Sequence, residues 1–240
     1  MKLTRQINFQ NVEALSRMFR SERASLERLT FEIPVNDAAN GIYAAMKAEV
    51  ERRGGRMSLD EQTRQHILRA ALWLTDATAP PGLMLCGLCG NGKTTLARAL
   101  ATLIEFITEK EMSFSNRCVM KFQTARNICR LCAAGEKYKE ESAVFRSLFH
   151  EPMLIIDDLG QEPQEVVVYG MVHNPIVDLI TERYDRRLMT VITSNLETED
   201  IRRIYGERLF DRMKEMFVPV IFENESFRKM AVLDMDRGKP

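Results

Sequence analysis

Leu83-Met84-Leu85-Cys86 runs directly into Gly87-Leu88-Cys89-Gly90-Asn91-Gly92-Lys93-Thr94, an unbroken G-x-x-x-x-G-K-T. The four residues before the first glycine read as a buried strand. The segment from Thr95 onward reads as a helix, with Leu96, Leu100, Leu103, Ile104 and Ile107 along one stripe. A strand that delivers a glycine-rich loop to a helix N-terminus is the architecture of a polyphosphate cradle. Gly87, Gly90, Asn91, Gly92 and Thr95 supply backbone N–H groups, and the positive end of the helix dipole adds to them. Lys93 reaches the terminal phosphates and the Thr94 hydroxyl holds Mg²⁺. A nucleotide polyphosphate with Mg²⁺ is therefore the expected ligand.

Composition bounds the rest. A chain of 240 residues holds one packed domain plus an extension, and its 45% hydrophobic and 28% charged content are those of a soluble globular protein. The start of the chain is too polar for a signal peptide, and no apolar run reaches membrane-spanning length, so the cytoplasm is expected, with no membrane partner. The 34 basic and 34 acidic side chains cancel, so contact with DNA has to come from a local patch.

Cys86-x-x-Cys89 and Cys129-x-x-Cys132 imitate a paired zinc pattern. Cys86 ends a strand, Cys89 lies inside the loop that wraps phosphate, and Cys129 and Cys132 fall on the apolar side of a helix. They read as core and loop residues rather than metal ligands.

Along the chain, residues 1–35 carry an amphipathic stripe of Val12, Leu15, Phe19, Leu26 and Leu29, suited either to the protein's own body or to a partner. Pro34 and residues 36–41 read as a break. Residues 1–55 thus read as a helical extension, partner-binding on the second of these readings, and residues 56–240 as the catalytic domain. Ser58-Leu59-Asp60-Glu61 reads as a capping box opening a helix through Leu74, with Ile67, Leu68, Ala71 and Leu72 inward. Strands are expected at 83–86, 118–122, 153–157, 190–194 and 218–222 with helices between, which makes a mostly parallel sheet covered on both faces.

Three further segments carry chemistry. Met153-Leu154-Ile155-Ile156-Asp157-Asp158 is a buried strand ending in paired carboxylates: Asp157 suits the metal and Asp158 suits orientation of the attacking water. Thr190-Val191-Ile192-Thr193-Ser194-Asn195 offers Asn195 to the γ-phosphate, or else simply as a turn residue. Arg208 and Arg212 share one helical face, where they serve either as a solvated ion-pair surface or as arginines that stabilise a transferring phosphoryl group.

Taken in order, the phosphate loop, Leu-Ile-Ile-Asp-Asp-Leu-Gly (154–160), Ile-Thr-Ser-Asn-Leu (192–196), Gly-Glu-Arg-Leu-Phe-Asp-Arg-Met (206–213) and Phe-Glu-Asn-Glu-Ser-Phe-Arg (222–228) closely resemble the DnaC/IstB-like AAA+ ATPases. The resemblance spans about residues 58–230. It implies an α/β P-loop NTPase sandwich of AAA+ type with a five-stranded sheet and an ATP-dependent oligomer with nucleotide at protomer interfaces. It also implies Asn195 as sensor and Arg212, ahead of Arg208, as the finger acting on a neighbour. The partner it implies is a replicative helicase or, as the second choice, a transposase. Residues 223–240 leave no room for a helical lid, and the N-terminal segment has no cysteine for a zinc module. Family members contact single-stranded DNA from the region corresponding to Lys137-Tyr138-Lys139 through Arg146, where Glu136, Glu140 and Glu141 equally allow a plain solvated helix. A P-loop nucleoside or nucleotide kinase, and a module that binds ATP only to assemble, remain as other classes.

Overall fold

The structure, a computed structural model, describes residues 30–111, 119–134, 138–224 and 226–227, together with Glu13 and Ser16. The stripe from Val12 to Leu29 lies outside them. Five parallel strands form the central sheet: β1 (Gly82–Gly87), β2 (Lys121–Thr124), β3 (Met153–Leu159), β6 (Met189–Ser194) and β7 (Phe217–Phe222), in the order β2-β3-β6-β1-β7. The second expected strand is corrected. It begins at Lys121 rather than 118, and residues 112–118 lie outside the described set. The strand carrying the paired carboxylates runs on to Leu159.

Side-chain alternation sorts the sheet into two faces. Leu83, Leu85, Met153, Ile155, Met189 and Val191 point into one core, shared with α1 (Val35–Arg52), α2 (Glu61–Thr75) and α3 (Lys93–Glu111). Met84, Leu154, Ile156 and Ile192 point into the other, beneath α4 (Ala125–Ala134), α5 (Lys139–Leu148), α6 (Pro175–Asp185), α7 (Thr198–Tyr205) and α8 (Glu207–Met216). Both faces are covered, which is why these strands read as continuous apolar runs. On α4, Ile128, Cys129 and Leu131 are buried, and burial pushes the Cys129 thiol up to about 12.

The expected break over residues 36–41 does not exist; helix α1 passes straight through it. Gly41 sits where α1 crosses α3, and a Cβ there would lie 2.6 Å from the Leu103 side chain. That glycine marks a close helix–helix approach, not a turn. The capping box is also revised: Asp60 is the N-cap, accepting from the Thr63 amide at 2.6 Å. Of the four α2 residues expected inward, Ile67 and Ala71 are buried while Leu68 and Leu72 are exposed.

A two-stranded antiparallel hairpin, β4 (Val166–Val168) and β5 (Met171–His173), lies between β3 and α6, where only helix was expected. Its turn, Tyr169-Gly170, has both residues at positive φ, the geometry that matches strand twist in a two-residue hairpin. Among the described residues, no helix is long and apolar enough to cross a membrane.

Candidate nucleotide site

The loop between β1 and α3 is shaped from both ends. Gly87 has φ +142°, and a Cβ there would approach the Phe222 carbonyl oxygen to 2.3 Å, so only glycine permits β7 to lie this close. Asn91, almost fully buried, donates from Nδ2 to that same Phe222 oxygen at 3.1 Å. Beyond β7 the chain turns back over the loop: Asn224 Nδ2 donates to the Asn91 carbonyl at 3.2 Å and the Phe227 amide to the Gly90 carbonyl at 2.9 Å. Three hydrogen bonds thus pin the loop to the last strand and the residues after it. The motif places Asn91 in the loop, but these long-range partners leave no periodic signal in the sequence.

Lys93 starts α3 and is 5% exposed; its Nζ donates to the Gly87 and Leu88 carbonyls at 2.8 and 2.6 Å and to Asn91 Oδ1 at 3.1 Å. Burial holds its ammonium below the usual lysine range, partly offset by the carboxylates of Asp158 and Asp157.

The next residue completes a buried acidic set. Asp157 continues the Met153–Ile155 face of β3, the face on which α3 lies, and is 4% exposed. Its Oδ1 accepts from Thr94 Oγ1 at 2.9 Å and from Thr193 Oγ1 at 2.6 Å. Thr193 occupies the corresponding face of β6, and the Asp158 amide donates to its hydroxyl at 2.9 Å. Thr193 is a site residue that the sequence reading quoted only as part of a strand. The β3–β6 register shifts between Ile156 and Leu159, and Asp158 takes φ +58°. The bulge turns Asp158 away from the buried face and exposes it at the cavity.

Asn195 follows β6 immediately, and its Nδ2 lies 3.1 Å from Cys89 Sγ, so the strand end and the loop face each other. These groups line a cavity of about 660 Å³ that takes in Gly90, Asn91, Gly92, Lys93, Thr94, Thr95, Asp157, Asp158 and Asn195. Its remaining wall was not legible beforehand. Met46 and Val50 of α1, Arg53, Arg56 and Met57 after it, His66 of α2, Arg98 of α3, and Phe222 and Phe227 all contribute. His66 stacks on Phe222 with ring centroids 4.0 Å apart, and its Nε2 donates to the Ile221 carbonyl at 2.9 Å. A cavity of this size, lined by aromatic and aliphatic side chains beside a loop of amides and an ammonium, suits a nucleoside triphosphate.

The donor set fits Mg²⁺. Among the described residues no group of three or more His, Cys, Asp or Glu gathers as a self-sufficient metal site. Mg²⁺ is ordinarily held by one or two protein oxygens, with phosphates and water completing the octahedron. Thr94 and Asp157 supply such a pair, 2.9 Å apart.

Arg208 and Arg212, both on α8, are not among the cavity-lining residues. Arg208 is exposed; Arg212 is half-buried, 3.9 Å from Asp185 Oδ2 and over the Tyr184 ring. The cavity brings together the expected residues from Gly90 to Thr95 with Asp157, Asp158 and Asn195, while Gly87 lies at the start of the loop outside the lining and the two arginines lie apart.

Residues 55–233 match the model of the IstB-like ATP-binding proteins. The chain belongs to that family. Its fold is shared with solved structures of low sequence identity. The DnaC helicase loader is 21% identical with TM-score 0.55, the match covering 76% of this chain and 98% of that one. DnaI is 18% identical with TM-score 0.54 over 80% of this chain and 95% of its own. A putative primosome component from Streptococcus pyogenes serotype M3 is 20% identical with TM-score 0.53, covering 86% of this chain and all of that one. This IstB-like protein is thus of an ATP-binding family and has an α/β P-loop fold.

Proposed function

We propose that this IstB-like protein hydrolyses ATP with Mg²⁺ at interfaces between its own copies and uses the cycle to control a DNA-processing partner. One observation carries the reading. Thr94 and Thr193 converge on a single oxygen of buried Asp157 at the foot of a phosphate loop, while Asp158 is turned out toward the cavity. The first carboxylate is fixed for a metal and the second faces the cavity from which water would attack. Lys93, together with the amides of Gly87, Gly90, Asn91, Gly92, Thr94 and Thr95, binds the phosphates. Mg²⁺ on Thr94 and Asp157 would neutralise charge shared between the β- and γ-phosphates. Asp158 orients the attacking water and Asn195 contacts the γ-phosphate from the end of β6.

The arginines on α8 complete the site of a neighbour, Arg212 first and Arg208 second. That both sit outside the protomer's own cavity supports a trans role. The partner is read as a replicative helicase, in keeping with the fold shared with a helicase loader, and second as a transposase, in keeping with the IstB-like family. Residues 1–55 are assigned to gripping it, with α1 doubling as cavity wall. Single-stranded DNA is assigned to the region of Tyr138, Lys139 and Arg146, all exposed. The protein works in the cytoplasm.

The deciding experiment measures ATP turnover of Lys93→Ala and Arg212→Ala proteins separately and mixed. Each alone is inactive, and the mixture regains activity because one protomer lends an intact site and the other an intact arginine. Absence of gain at every ratio removes the shared site. Transfer of labelled phosphate to a nucleoside in preference to water would replace the ATPase reading with the kinase one.

A further inference from the structure

The turn that follows the paired carboxylates is fastened to the helix corner that carries the arginines. After Asp158 the chain tightens, with the Gln161 amide bonded to the Asp158 carbonyl at 3.2 Å. Gly160, at φ +97°, packs so closely on Leu196 that a Cβ would lie 2.6 Å from it. Glu162 then folds back: its Oε2 accepts from the Gly160 amide at 2.8 Å and its Oε1 accepts from the Tyr205 hydroxyl. The Gly160 amide also reaches the Tyr205 oxygen, and burial together with the Glu162 carboxylate drives the Tyr205 phenol above its ordinary range. Tyr205 is buried and is the last residue of α7.

The connection beyond Tyr205 is short. Gly206 alone separates α7 from α8, at φ +85°. The corner is braced on the far side by Arg202 of α7, whose Nε sits 3.0 Å from Glu207 Oε2 and whose guanidinium covers the Phe210 ring at 4.6 Å. The Tyr205–Glu162 bond thus ties the corner between α7 and α8 to the turn that follows the strand carrying Asp157 and Asp158.

We propose that Glu162 and Tyr205 are positioning residues that set where α8 presents its arginine, so that their loss impairs the site of the neighbouring protomer rather than their own. The proposal rests on the reading of Arg212 as a residue acting in trans. A hydrogen bond to a carboxylate exceeds an ordinary one in strength, and the corner it anchors leads through Gly206 directly into α8, so its loss lets the start of α8 shift.

Tyr205→Phe keeps the buried ring and removes only the hydroxyl. The expected result is ATP binding within about twofold of the parent and kcat lower by about tenfold at unchanged KM. Glu162→Ala reproduces that loss, while Glu162→Gln, which keeps an acceptor for the hydroxyl, restores most of it. A role confined to stability would not produce the mixing pattern that follows. Tyr205→Phe mixed with Lys93→Ala gains turnover above the sum of its parts, because the second protein supplies a correctly held arginine. Tyr205→Phe mixed with Arg212→Ala gains nothing.

Lys93→Ala mixed with Arg212→Ala is the control for the trans reading itself. Gain in that control without gain for Tyr205→Phe plus Lys93→Ala overturns the positioning role while leaving the shared site intact. No gain in the control overturns both. Full turnover by Tyr205→Phe or Glu162→Ala alone also refutes the positioning role.

Discussion

The two halves of the nucleotide machinery are built on different principles. On the phosphate side, Lys93, Asn91, Asp157 and Thr193 are buried and joined by short hydrogen bonds that cross from loop to strand to helix. On the arginine side, Arg208 lies open and Arg212, among the described residues, rests against Asp185 and the Tyr184 ring. A buried network can be shaped completely within one chain because its partners fold with it. A surface arginine acquires a function only from what meets it. The contrast assigns binding to the protomer and turnover to the assembly, and it breaks if substitutions on the two sides produce the same defect.

The largest effect is expected from Lys93→Ala. The loop loses both its terminal-phosphate cation and the donor that ties the Gly87, Leu88 and Asn91 oxygens together. Isothermal titration should show no measurable ATP affinity at concentrations that saturate the parent, and turnover should vanish. Retained tight binding would place the phosphates elsewhere.

Arg212→Ala comes next and should separate the two halves. Turnover falls by about 10³-fold, the low end for an arginine that stabilises a transferring phosphoryl group, while ATP affinity stays within about threefold. If Arg208→Ala rather than Arg212→Ala shows this split, the finger moves one helical turn and the contrast survives. If neither does, α8 is only a solvated ion-pair face.

Why the phosphate side was legible in sequence and its wall was not follows from the same difference. The strands announce themselves because burial on both faces makes each a continuous apolar run, and Asp157 is conspicuous for ending one. The walls depend on approaches between distant segments. Gly41 reads as a helix breaker until Leu103 is found against it, and α2 buries Ile67 and Ala71 but turns Leu68 and Leu72 outward because its buried side also carries polar Thr63 and His66 at the cavity. A hydrophobicity stripe cannot anticipate a face whose interior is a binding site. The hairpin at 166–173 was passed over because its strands are three residues long, too short for periodicity to register.

A smaller effect sharpens the role of the buried network. Thr193→Val keeps the shape of the side chain but removes the hydroxyl that donates to Asp157 and accepts from the Asp158 amide. A lost bond to a charged group, with a second donor left unpaired, predicts about 2 kcal/mol of destabilisation in urea unfolding. ATP turnover should fall by about tenfold with binding little changed, since the loop itself is untouched. Unaltered stability would mean that Thr94 alone is enough to hold Asp157.

The smallest effect concerns the cavity wall and is a matter of pH. Burial holds the His66 imidazole below its ordinary value of 6.5, against the opposing pull of its bond to the Ile221 carbonyl. That carbonyl can only accept, so Nε2 carries the hydrogen, and stacking on Phe222 leaves the neutral ring buried. Folding therefore favours the uncharged form. The unfolded chain takes up the proton first as pH falls, so this contribution to stability is complete above 6.5. It is lost progressively as pH drops from there toward the lower folded value. One such group limits the slope to about 1.4 kcal/mol per pH unit. Urea midpoints of the parent and of His66→Gln, compared between pH 7.5 and 5.5, should converge at the acid end, because the variant has no proton to take up. A difference that stays constant with pH would show that His66 is equally protonated in both states, and that this end of the cavity is wetter than its packing implies.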